Sequence, residues 1–117
     1  MANKERGEVT VEADGKTYTL RFSIDAMCQM EDVTGKGVVA ITQEFADPAK
    51  IRMATARAAL WAALHEQHPE LTLMQAGELI PKAGGLQVVL NKVSEAILLA
   101  FPTTEGTARP QKAAKTG

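Results

Sequence analysis

Apolar and polar residues alternate in GEVTVEA and again in YTLRF, with Asp14-Gly15 between the two runs. Val9, Val11 and Ala13 share one side of the first run, and Tyr18, Leu20 and Phe22 share one side of the second. A period of two marks strands with one buried face. Asp-Gly reaches the positive φ values of a tight type I′ turn, so the segment predicts a β-hairpin. Two strands alone are barely stable, and the apolar face must therefore rest on another element.

The period then changes to that of a helix. Ser23 is placed to cap a helix starting at Ile24, with Asp25 in the first turn, and Gly35 and Gly37 ending it. Its inward stripe is expected to be Ile24, Met27, Cys28 and Glu31, widened by Met30. In VVAITQEF, β-branched residues favour an extended form, while Val38, Ile41 and Phe45 recur at helical spacing, and the helix is preferred. Asp47-Pro48 predicts the start of a long helix through AKIRMATARAALWAALHEQ, with Ile51, Ala54, Ala58, Trp61, Ala62 and His65 near one face. His68-Pro69 ends it. Thr72 and Gln75 have the spacing of a capping box for LMQAGELIPKA, limited by Pro81 and Gly84-Gly85. In the last helix Val89, Val93, Ile97 and Ala100 line one side, flanked by Leu90, Ala96 and Phe101, and Pro102 closes it. The pattern predicts an α+β fold, a β-hairpin packed on a small bundle of about four helices. Residues 1–6 are expected to be a flexible N-terminus, 7–102 one domain, and 103–117 a disordered tail.

Composition narrows the function. The 117 residues are 45% hydrophobic and 23% charged, ordinary for a soluble globular chain, with few aromatics to build the core. A domain this small has a modest stability margin, so a partner covering leftover apolar surface would matter to it. The tail carries Arg109, Lys112 and Lys115 against Glu105, a balance of +2, and subtraction from the total of −1 leaves −3 for the first 102 residues. An acidic body argues against a nucleic-acid partner, since phosphates call for a concentrated basic surface. No signal peptide or membrane-spanning run is evident, and the expectation is a soluble intracellular protein.

Candidate chemistry is thin. Cys28 is the only cysteine, with acids rather than a base among its helical neighbours, and is expected to be buried packing. His65 and His68 stand at i, i+3 in HEQH, which is not the H-E-x-x-H spacing of a zinc site. The adjacent acids Glu31 and Asp32 splay apart on a helix, and the glycines make no phosphate loop. No cofactor or metal is expected. A thiol- or metal-dependent enzyme is the weakest reading, and a binding or assembly protein the strongest.

The segments GEVTVEADGKTYTLRFSIDAMCQMED, ALWAALHEQHPELTLMQAGELI and AILLAFP resemble, in order and spacing, the small tail assembly chaperones of siphophages and gene transfer agents. Gly7, Glu8 and Val9 match the opening G-E-V. Asp14, Gly15, Lys16, Tyr18, Leu20 and Arg21 match D-G-K-x-Y-x-L-R, and Asp25, Ala26 and Glu31 match the helix that follows. Leu60, Trp61, His68, Pro69, Leu71 and Thr72 match the third segment, and Ala76, Gly77, Leu79 and Ile80 the fourth. Residues 35–54 depart from the pattern, being less charged and less leucine-rich. The resemblance implies a non-enzymatic protein of the bacterial host cytoplasm. It would hold the tape measure protein soluble while tail tube subunits polymerise, and leave before the tail is complete. Partners would be the tape measure protein, the tail tube protein and a second copy of the chain. A small structural subunit retained in the tail or connector is the alternative. A groove for an apolar helix is expected at Trp61, Leu64 and the last helix, with Leu90 and Ile97 on its face, and binding there should survive high salt.

Overall fold

The structure, a computed structural model, describes residues 6–100. Its elements run β1 (Val9–Ala13), β2 (Lys16–Leu20), α1 (Ile24–Thr34), α2 (Val38–Ala46), α3 (Met53–His65), α4 (Leu73–Lys82) and α5 (Leu86–Ala100). The architecture is α+β, an antiparallel hairpin packed on helices, five of them among the described residues. The segments assigned to a tail, 103–117, and to a closing Phe101-Pro102 lie outside the described residues.

The hairpin follows its alternation. Val9 pairs with Leu20 and Ala13 with Lys16, leaving Asp14 (φ 56°) and Gly15 (φ 77°) as a two-residue left-handed turn. Val9, Val11, Ala13, Tyr18, Leu20 and Phe22 are buried, against α5 and α4 on the β1 side and α3 on the β2 side. α3 is the central element, packed on α1, α4, α5 and β2. Its buried alanines, among them Ala56, Ala59, Ala62 and Ala63, explain how so many neighbours fit: small side chains let helix axes approach closely. All elements feed one core, with Leu20, Met30, Ile41, Leu64, Val89 and Val93 fully enclosed.

Two expectations are corrected. In α1 the buried residues are Ala26, Met27 and Met30, while Ile24 is 74% exposed and Cys28 is also exposed. The 3,4 spacing fits two phases of this helix, and packing on α3 selects the one that includes Ala26. Glu31 is thereby turned toward α2, where its Oε2 accepts the Val38 N–H (2.7 Å) and caps that helix. Second, Asp47-Pro48 begins a turn rather than a helix. Asp47 is the C-cap of α2, its carbonyl accepts the Lys50 N–H (2.9 Å), and α3 starts only at Met53. Aspartate followed by proline is as good a turn opening as a helix opening. The limit expected from Pro81 and Gly84-Gly85 holds: α4 is 10 residues long, with Pro81 in its last turn. The chain then closes through the Ala83 N–H to Leu79 (2.8 Å) and the Gly85 N–H to Ile80 (3.1 Å). The Thr72–Gln75 capping box is present in both directions.

Candidate docking surface

Three of the four residues expected to line a helix-binding groove are interior. Leu64 is 0% exposed, Ile97 3% and Leu90 6%, all inside the core, and Trp61 is half-buried at its edge with its ring 5.3 Å from that of His65. Leu64 has no open surface because α3 is enclosed on the side where sequence spacing suggested a free flank, and Leu90 and Ile97 are on the inward face of α5. A small apolar hollow between α2 and α5 is lined by Phe45, Ile97 and Leu98, the last 57% exposed.

The C-terminal end of α3 is tied to the hairpin. The Arg21 N–H donates to the Ala63 carbonyl (2.9 Å), and one guanidinium nitrogen of Arg21 donates to both oxygens of Glu66 (2.8 and 3.0 Å). Nε of Arg21 donates to the Arg6 carbonyl (2.6 Å), so Arg6, assigned to a flexible end, is held here. The Thr19 N–H donates to Nε2 of His68 (3.1 Å), whose ring lies 5.1 Å from that of Tyr18. Accepting that bond requires a neutral imidazole, and burial pushes the His68 pKa down, with Lys16 acting in the same direction and Glu70 opposing. Tyr18, Thr19 and Arg21 are thus joined to Ala63, Glu66 and His68, far along the chain, in a structural clamp. Among the described residues, no group of three or more His, Cys, Asp or Glu side chains could hold a metal ion, and no single helix is long and apolar enough to cross a membrane.

The opposite end of α3 is open. Its N-cap, Arg52, makes no side-chain capping bond, and no acid lies in its first turn. The nearest compensation comes from α2. Glu44 pairs with Lys36, which also donates to Thr55 (2.7 Å). Its pKa is lowered chiefly by the Lys36 hydrogen bond, with burial opposing and Thr55 and the Arg52 backbone assisting. Beside this cluster, Met53 (56% exposed) on α3 and Met74 (69%) on α4 flank a cleft of about 460 Å³ that also includes Arg57, Gly77 and Glu78. Gly77 permits the close approach: a Cβ there would fall 2.8 Å from Cδ of Arg57. α4 therefore rests on the arginine's aliphatic stem. Nε of Arg57 is buried with no acceptor, and no hydrogen bond or ion pair reaches its guanidinium among the described residues. A buried donor left unpaired costs about 1–3 kcal/mol.

Sequence reasoning passed over this cleft. Met53 and Arg57 stand at i, i+4 on α3, but the expected helix start at Asp47-Pro48 drew attention to a different face. The usable signal was Met74 with Gly77 one turn on, an exposed apolar group beside a residue that admits a close neighbour. No family model, curated protein or solved structure matches the chain.

Proposed function

We propose that this protein is a non-enzymatic tail assembly chaperone that holds an apolar helical segment of a tape measure protein in the α3–α4 cleft, within the cytoplasm of the bacterial host. The carrying observation is the pair of exposed methionines, Met53 and Met74, on either side of a cleft between two helices. Methionine is unbranched and polarisable, and suits a surface that must accept varied apolar side chains. A groove between helices is the setting in which an amphipathic helix lays down its apolar face. The motif resemblance across residues 7–102 supplies the identity of the client. The clamp of Tyr18, Arg21 and His68 supports it by giving those motif residues a shared structural task.

Coexpression with a tagged tape measure protein tests the reading. The wild-type chain should copurify with the client and raise its soluble fraction. The double substitution Met53→Asp, Met74→Asp should abolish both effects and leave the thermal unfolding of the isolated protein within a few degrees of wild type. A folded wild-type chain that neither copurifies nor solubilises the client overturns the proposal. Recovery of the protein in many copies from finished tails replaces it with a structural subunit.

A further inference from the structure

We infer that the segment received by this surface carries a carboxylate beside its apolar stripe, and that Arg57, with Arg52 next to it, binds that carboxylate. The inference rests on the helix-binding reading above and adds the partner's charge. Arg57 lines two adjoining depressions. One is the methionine cleft, and the other lies toward Val33, Thr34, Lys36 and Arg52. Val33 (44% exposed), Met53 and Met74 are thus three exposed apolar groups arranged around one arginine.

The cations here differ in what they have left to give. Lys36 is satisfied by Glu44 and Thr55. Neither the Arg52 nor the Arg57 side chain has a hydrogen bond or ion pair among the described residues, although the Arg52 backbone bonds to Ala56 and Glu44. Two unpaired arginines on a body whose first 102 residues sum to −3 form a local reversal of charge. Contact between Arg57 and the backbone at Gly77 fixes its stem, so less side-chain freedom remains to be lost on binding. A planar guanidinium without an internal acceptor matches a carboxylate in charge and in fork geometry. Glu78 lies on the methionine cleft beyond ion-pair distance of Arg57, which directs the partner's acid toward the Arg52 side.

The test uses the full chain and two labelled helix-forming peptides with the same apolar stripe, one bearing Glu and the other Gln on the flank. Fluorescence anisotropy should show the Glu peptide binding about tenfold more tightly, a difference that shrinks toward parity in molar salt while the Gln peptide stays bound. Arg57→Gln should bring the two peptides toward equal affinity, Arg57→Lys should restore part of the preference, and Glu78→Gln should widen it. Equal binding of both peptides by the wild-type chain, with Met53→Asp, Met74→Asp still abolishing it, overturns the carboxylate inference and leaves the helix-binding reading standing. Binding of neither peptide overturns both.

Discussion

The two ends of α3 solve the same problem differently. Both present unpaired backbone groups and both carry an arginine nearby. At the C-terminal end, the Ala63 carbonyl, Glu66 and His68 find partners on β2 and at the Arg21 that follows it, while Nδ1 of His65 is buried without a hydrogen-bond partner. At the N-terminal end, Arg52 supplies no cap and Arg57 has no acceptor, with exposed methionines beside it. One end is tied to the hairpin by this chain, and the other keeps exposed apolar groups beside an unpaired guanidinium. Satisfied polar groups and enclosed apolar ones specify a fold, whereas unsatisfied polar groups next to exposed apolar ones mark where binding can still release free energy.

The largest effect should come from treating an interior residue as though it faced the partner. Leu64→Asp places a carboxylate at a fully enclosed position and should remove more than about 4 kcal/mol, most of the stability of a small domain. Circular dichroism should show no cooperative unfolding transition. A folded Leu64→Asp protein would mean that the closed side of α3 opens, and the comparison would fail.

Acid should attack both ends of α3 in sequence. Burial holds His68 below its ordinary value of 6.5, so the unfolded chain takes up the proton first and stability falls as pH drops below that value. Glu44, held below its ordinary 4.5 chiefly by Lys36, adds a second loss as pH falls further. Both contributions are fully present at neutral pH. His68→Gln keeps an acceptor for the Thr19 N–H and should remove only the upper phase. Melting temperatures across the acid range test this, and an unchanged upper phase would separate His68 from the clamp.

Smaller losses sharpen the contrast. Arg21→Ala removes the Glu66 pair and the bond to Arg6. Side chains about a third exposed are screened by water, so the cost should be about 1 kcal/mol by urea denaturation, with the slope unchanged. Cys28→Ala should change stability by less than about 0.5 kcal/mol, because the thiol is on the surface. The native protein should also react with a thiol reagent at a rate near that of the unfolded chain.

What the sequence determined by itself was local. The hairpin, its Asp14-Gly15 turn, the Ser23 cap, the Thr72–Gln75 capping box and the inward face of α5 all depend on neighbours within a few positions, and each is present. Tertiary structure decided which of two equally spaced stripes α1 turns inward, and so placed Cys28 outside. It also decided that Asp47-Pro48 serves a turn, and that α3 is enclosed around Leu64 while open around Met53. A helical period gives the spacing of a buried face but not the number of neighbours that will cover the helix. For an alanine-rich helix that can be approached from almost every side, only packing sets which residues remain for a partner.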